Sequence, residues 1–251
     1  MPLLRGMMAL GLALSSSLLV SCANYRTPGM GLAVHEMAES GHPENSDLDS
    51  AMQPQPAAML PLRLVLVRIQ RAGYPSMYEP CYGNGRYCVL TVREVESNAD
   101  LEQMADLPQV ASLIPIPRRL IPDRINTTLD VRRNLADAHI GDITLFYSID
   151  TQALVGDDDA APLSKLKKSL QVDQTVTMRS RITATLVDVR TGFIYLQTQT
   201  NLSETLPGWI WTRQDSANHA HENVERKAFH ALVGEISRHW RDVITPLAWR
   251  P

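Results

Sequence analysis

Thr175-Val176-Thr177-Met178-Arg179-Ser180-Arg181-Ile182-Thr183-Ala184-Thr185-Leu186 alternates strictly. Val176, Met178, Ser180, Ile182, Ala184 and Leu186 fall on one face. Thr175, Thr177, Arg179, Arg181, Thr183 and Thr185 fall on the other. A period of two with a polar outer face marks a half-buried strand. Asp188-Val189-Arg190-Thr191-Gly192 then supplies turn residues, and Phe193 to Leu202 returns. The stretch predicts a long antiparallel hairpin with one face on a core and the other in water.

Working outward, Leu62-Arg63-Leu64-Val65-Leu66-Val67-Arg68-Ile69 reads as a central or half-buried strand. A helix is predicted near Asn98–Leu107, capped by Ser97 or Asn98. Val110 to Pro117 reads as a short strand, which its two prolines confine to an edge or an end. Thr127 or Thr128 caps a helix to about His139, with Leu129, Val131, Leu135 and Ala138 as its apolar positions and Gly141 as its stop. Asp142 leads into the apolar run Ile143–Ile149. Helix, glycine and apolar strand in that order imply a crossover and parallel pairing. Asp215 or Ser216 caps a long last helix to about Val243, striped by Ala220, Val224, Ala228, Ala231, Leu232, Ile236, Trp240 and Val243. The expected fold is α+β or α/β: a mixed sheet with a long antiparallel hairpin, packed by two or three helices including a long C-terminal one. It occupies residues 61–245, with 246–251 as a tail.

Chemistry is sparse. The chain has no Gly-x-Ser-x-Gly elbow, P-loop, Gly-x-Gly-x-x-Gly or His-Glu-x-x-His. Asp142, Asp150 and Asp188 stand at strand ends, where carboxylates can act but also cap and turn. Asp157, Asp158 and Asp159 lack the alternation of a calcium loop and read as a solvated turn. His221 and Glu225 are four apart, as two metal ligands on one helix face would be; the plainer reading is a surface pair. Neither a catalytic set, a metal nor a cofactor is expected.

Two features could meet a partner. Arg118-Arg119, Arg124 and Arg132-Arg133 form a basic cluster. It could face an anionic surface, or be a solvated face balanced by Asp123, Asp130 and Asp137. Trp209 and Trp211 flank a single residue, so an extended segment would point them to opposite sides; alternatively both cover the core.

The chain starts with Arg5, an apolar run Met7–Val20 and the sequence Leu19-Val20-Ser21-Cys22. That is the layout of a secretory signal peptide over residues 1–21. The run is shorter than the roughly 20 residues of a spanning helix. The rest, Cys22–Pro251, carries 23 basic and 27 acidic residues, since only Arg5 is removed. That near-neutral balance argues against a nucleic-acid partner. Residues 22–60 are rich in Pro and Gly and have no period, so they read as a flexible tether with a reach of roughly 30–37 Å. Cys81 and Cys88 flank a segment centred on the turn signal Asn84-Gly85. In an oxidising compartment they are expected to form a disulfide, in preference to a metal site of the wrong spacing.

The cysteine at the cut resembles the lipobox of bacterial lipoproteins. The resemblance implies lipidation of Cys22, a membrane anchor through that lipid, and, with Ala23 rather than Asp following, the outer membrane. Leu60-Pro61-Leu62-Arg63, Leu129-Asp130-Val131-Arg132-Arg133-Asn134-Leu135, Gly141-Asp142-Ile143 into Tyr147-Ser148-Ile149-Asp150-Thr151-Gln152, and Leu186-Val187-Asp188-Val189-Arg190-Thr191-Gly192 follow one another. Over about residues 60–245 this order resembles the rhombotarget lipoproteins. More remotely it is similar to the α/β domain of CsgG-type curli-secretion lipoproteins and the N-terminal domain of TolB. The resemblance implies a domain facing the periplasm and an accessory or assembly role without catalysis, binding another envelope protein. An export oligomer of CsgG type and a periplasmic hydrolase using the strand-end aspartates are the alternatives. Arg179 and Arg181 sit on the hairpin's polar face and no second such hairpin is evident, so pore formation is not carried over.

Overall fold

β1 (Leu62–Arg71) is the strand about which the rest is arranged. Val65, Val67 and Ile69 are buried on one face and Leu64, Leu66 and Arg68 on the other. A continuous apolar run needs cover on both sides, and it has it. The structure is a computed structural model and describes residues 31–33, 36–37, 54–74, 80–91, 93–155 and 175–248.

Along one edge β1 pairs in parallel with β6 (Ile143–Val155). The other edge is shared between two strands. Leu62–Leu66 pair in parallel with β4 (Val110–Pro115), and Arg68–Arg71 pair antiparallel with β3 (Tyr87–Leu90). β6 leads to β7 (Thr175–Asp188) and β7 to β8 (Ile194–Pro207), both antiparallel. β2 (Asn84–Gly85) and β5 (Arg124–Ile125) lie beyond β3. The described strands form one mixed sheet of eight, in the order β2-β5-β3-β1-β6-β7-β8 with β4 beside β1. Among the described residues the α-helices with both ends defined are α1 (Asn98–Ala105), α2 (Thr128–Asp137) and α3 (Gln214–Ala248), and they pack on it. The expected mixed sheet with its hairpin and long C-terminal helix is the fold found.

The hairpin runs in unbroken register from Thr175↔Pro207 to Leu186↔Leu196. Its Val176, Met178, Ser180, Ile182, Ala184 and Leu186 are buried, as the alternation requires. The parallel β1–β6 pair follows from the crossover through α2. Thr127 caps α2 in a capping box with Asp130, whose carboxylate accepts from the amides of Asn126 (2.8 Å) and Thr127 (3.1 Å).

Two helix ends differ from expectation. α2 stops on His139, which takes φ 55°, while Ile140 N donates to Leu135 O at 2.9 Å. Gly141 serves a different purpose: a Cβ there would stand 2.2 Å from Val65 Cγ2, so glycine permits β6 to start against β1. α3 continues past Val243 and through Pro246 to Ala248. A proline in the last turn removes only one donor, and Leu247 is buried against the core. The expected tail is therefore partly helix.

One core lies between the sheet and α3. It joins Leu64, Leu66, Leu145, Ile182 and Ala184 to Phe229, Leu232, Ile236 and Trp240. The other lies under α2, where Val65, Val67, Ile69 and Phe146 meet Val131 and Leu135. Leu32 and Met37 belong to this second core, 2 % and 0 % exposed. They fall in the stretch expected to be a free tether. Glu36 beside them accepts from Arg71 Nη2 at 2.8 Å, Leu32 N donates to Ser148 Oγ at 2.9 Å, and Thr128 Oγ1 donates to Met37 O at 3.3 Å. Nearer β1, Ala57 and Ala58 donate their amides to Asp188. The described residues of that stretch are thus held on the domain. Burying two such side chains contributes roughly 1.5–3 kcal/mol each, which a composition rich in Pro and Gly conceals. Residues 31–33 and 36–37 are called the strap below.

Candidate functional site

The densest polar cluster lies where the edge of β1 passes from β4 to β3. Arg68 is buried there, on the face that carries Leu64 and Leu66. Its Nη2 donates to Tyr74 Oη at 2.9 Å and lies 3.5 Å from Glu225 Oε2; its Nη1 lies 3.5 Å from Glu94 Oε2. The guanidinium also sits 5.5 Å from the centroid of the Tyr74 ring. Tyr147, opposite Arg68 on β6, donates its hydroxyl to Glu96. Thr151 Oγ1 donates to Glu225 Oε1 at 2.8 Å and lies 3.0 Å from Ser180 Oγ. His221 Nε2 is 2.9 Å from Glu225 Oε1.

Burial works against the Arg68 charge, but Tyr74, Glu225 and Glu96 outweigh it and raise its pKa. Burial pushes Glu225 up; His221, Arg68 and the Thr151 hydroxyl more than reverse this, bringing it to about 2. Burial lowers His221, and the Glu225 carboxylate raises it further than burial lowers it. The network therefore holds Arg68 and Glu225 charged and favours protonation of His221. The cavity beside it, lined by Arg68, Thr91, Arg93, Glu96 and Tyr147, is about 20 Å³, room for roughly one water. No substrate fits. In the His221–Glu225 pair, read from sequence as a surface pair, Glu225 is buried beside Val224 and Ala228 and His221 is half-buried. Among the described residues no group of three His, Cys, Asp or Glu could hold a metal.

The strand-end aspartates are engaged with donors. Asp188 Oδ2 accepts from Ala57 N (2.6 Å), Ala58 N (2.8 Å) and Tyr195 Oη (2.9 Å); Oδ1 accepts from Arg190 N and Thr191 N, both 3.0 Å. Burial would raise its pKa, but the donors at Thr191, Ala57, Tyr195 and Ala58 hold it below the usual range. Asp142 grips Arg63 through Nε at 3.1 Å and Nη2 at 3.0 Å, and accepts from Arg63 N at 2.9 Å. Asp188 ties Ala57 and Ala58, just before β1, to the hairpin turn, and Asp142 ties β6 to β1. Asp150 is half-buried under the strap. Asp157, Asp158 and Asp159 lie outside the described residues.

Cys81 and Cys88 form the expected disulfide, with Cα atoms 5.4 Å apart. Asn84-Gly85 at its centre pairs in parallel with Arg124-Ile125 rather than forming a bare two-residue turn. Reducing the disulfide should destabilise the domain by about 2–3 kcal/mol, the chain-entropy value for so short a loop. Thermal unfolding with and without reductant measures it, and an unchanged midpoint would refute it.

The expected partner residues separate. Gly208–Thr212 form a 3-10 turn, not an extended segment, and this rotates Trp211 into the core (3 % exposed) while Trp209 stays 57 % exposed. Trp211 is thus a core residue beside Val176, Met178 and Val224. Arg118 lies 4.3 Å over the Tyr82 ring and Arg119 is exposed. Arg132 is buried beneath the hairpin turn, against Gly192. Sequence reading missed the edge of the sheet. Among the described residues β8 pairs only with β7, leaving fourteen residues of outer edge. Between Ile194 and Leu206 it carries one charge, Glu204, and no Lys, Arg or Pro. Its exposed face is Gln197, Gln199, Asn201, Ser203 and Thr205. The β-rich alternation after Phe193 was the signal; that no described strand follows β8 in the sheet was not in it.

No protein-family model matches the chain, and no curated protein matches it. Solved bacterial structures align over much of its length. A homolog of neuraminyllactose-binding hemagglutinin from Helicobacter pylori is 12% identical over 79% of this chain and 89% of that one, with a TM-score of 0.32. A DUF330 protein from Xanthomonas campestris is 13% identical over 75% and 90%, TM-score 0.32. PelC from Paraburkholderia phytofirmans, a dodecamer in its structure, is 11% identical over 71% and 92%, TM-score 0.24. None of these three is named as a rhombotarget or CsgG-type protein. Their likeness is too loose to carry any argument, and what the chain does is argued from its own residues.

Proposed function

We propose that the protein is an outer-membrane lipoprotein, anchored through Cys22 with its domain in the periplasm, that acts without catalysis by binding another envelope protein. The observation that carries the binding role is the outer edge of β8. Unpaired N–H and C=O groups along a strand are a template for a partner strand. Folds usually blunt such an edge with lysine, proline or a bulge; here the only charge, Glu204, is paired with Lys227 at 2.8 Å. Trp209, just past the end of β8, offers an exposed aromatic of the kind that anchors interfaces. Asp142 and Asp188, two of the three strand-end aspartates, and His221 with Glu225 are engaged in contacts that hold the fold together.

A photo-crosslinking residue at exposed Ser203 in the full-length protein, activated in intact envelopes, tests this. The expected result is one discrete adduct, lost with Thr198→Pro and reduced several-fold with Trp209→Ala. No adduct above that from a control at exposed Asn223 on α3 would overturn the reading. For the anchor, Cys22 lies outside the described residues. Mass spectrometry of the mature N-terminus should find it lipidated; an unmodified peptide spanning residues 15–30 would sink the assignment.

A further inference from the structure

A second cavity, of about 130 Å³, lies between the strap and the open face of the hairpin. Gly31, Leu32 and Ala33 roof it; Ser148, Asp150, Arg181, Thr183 and Gln199 line it. Glycine at 31 is what lets the strap cross so low, since a Cβ there would stand 2.9 Å from Asp150 Cβ. Asp150 and Arg181 are direct partners in the β6–β7 register. Residues so placed have Cα atoms roughly 4.5–5.5 Å apart, and opposite charges there normally close on each other. These two do not form an ion pair. Arg181 instead turns its Nε to Asn201 Oδ1 at 3.3 Å. Among the described residues Asp150 accepts one long hydrogen bond, from Gln152 Nε2 at 3.4 Å. Ser148 is already satisfied, accepting from Leu32 N and donating to Gln70 at 2.8 Å.

The cavity therefore has an under-partnered carboxylate and a guanidinium with spare donors, held apart across a gap. Asp150, half-buried, and Arg181, on the exposed face, are each best satisfied by a counter-charge. A lone anion would leave Asp150 facing it, and a lone cation would face Arg181. A divalent metal would meet one carboxylate and a cation. An engineered cavity of about 150 Å³ takes benzene, so this one limits a ligand to a handful of heavy atoms. We propose that this cavity binds a small zwitterion of the α-amino acid class, its ammonium on Asp150 and its carboxylate on Arg181. Thr183 and Gln199 complete the polar wall, and Leu32 leaves room for a side chain no larger than a methyl or hydroxymethyl group.

The test is calorimetric titration of the full mature protein with L-alanine and D-alanine, with acetate, methylammonium and glucose as separate arms. One alanine enantiomer should bind saturably at one site, with Kd on the order of 1 mM or tighter. Asp150→Asn, nearly isosteric, and Arg181→Gln, on the exposed face, should each weaken it at least tenfold without shifting the unfolding midpoint. Leucine should bind far more weakly than alanine. Absence of saturable binding for both enantiomers would overturn the proposal, as would alanine affinity untouched by both substitutions. Acetate binding as tightly as alanine would make it an anion site, and glucose doing so a polyol site; either also overturns it. None of these outcomes bears on the β8 edge, so the two readings stand or fall separately.

Discussion

Arg68→Met should cost the domain about 3–5 kcal/mol, the range found when one partner of a buried ion network is removed and the others stay buried. Methionine matches the length of the arginine stem and leaves no large hole. The loss therefore reports charge more than packing. Glu94 and Glu225 both face the guanidinium at 3.5 Å, and without it they would confront each other across an apolar interior. At roughly 2–4 °C per kcal/mol for a domain of this size, the midpoint should fall by about 10 °C. The pH dependence separates this from a packing defect. In the native protein Glu225 sits at about 2, below its ordinary 4.5. Its contribution is present above the ordinary value and is lost as pH falls from about 5 towards 2. His221 is raised, so its contribution is full below its ordinary 6.5 and is lost as pH rises through the folded value. In Arg68→Met the deficit should shrink as pH is lowered and Glu225 takes up a proton. A deficit equal at pH 3 and pH 7 would show that the charge network is not the cause.

Asp188→Asn is the second large effect, about 3–6 kcal/mol. One amide oxygen must replace two carboxylate oxygens that take five donors. Whichever way the amide turns, at least two of those donors meet an N–H, and each lost bond to a charged group is worth roughly 1.5–3 kcal/mol. Chemical unfolding measures it; a change under 1 kcal/mol would contradict the assignment. Asp142→Asn, whose partner Arg63 is largely exposed, should cost about 1 kcal/mol or less. The contrast matters for the hydrolase alternative. A phenotype lost with Asp188→Asn would report a domain that no longer holds its Ala57–Ala58 segment and hairpin turn, not a missing catalyst. Because Asp188 is held below the usual carboxylate range, its stabilisation is present above that range and fades as pH falls through the folded value. The Asn variant should lack that part of the acid dependence.

What the sequence revealed and what it hid follow from the range of the forces involved. The hairpin, β1 and α2 are written in short-range patterns of period 2 and 3.6, and these need only a solvent boundary to act. The same rule contained the first hint of the site: alternation from Leu64 and Leu66 puts Arg68 on a core face, an arginine where an apolar residue belongs. Its partners could not be inferred. Glu94 and Tyr74 come from irregular segments, and Glu225 sits one residue from the stripe of α3 in a run that also carries His219, His221 and Glu222. The Asp150–Arg181 pairing depends on the β6–β7 register, which is set across 30 residues of intervening chain. Leu32 and Met37 were invisible for a different reason. Two apolar side chains without a period say nothing until the groove that receives them exists. Trp209 and Trp211 split because the backbone coiled into a 3-10 turn, which Pro207-Gly208 permits but does not dictate.

The docked strap alters how far the domain can stand from its lipid. With Cys22 lipidated as proposed, only eight residues separate the anchor from Gly31. Nine peptide units span at most about 30–32 Å, fully stretched. The full stretch from 22 to 60, if free, would have allowed a longer leash and any orientation. The strap instead makes the sheet face it crosses the point of suspension, so the domain hangs from one side and presents that side to the bilayer. Anything that engages the β8 edge must then approach along the membrane plane or from the periplasmic side, and a strap released from its groove would both lengthen the leash and let the domain turn over.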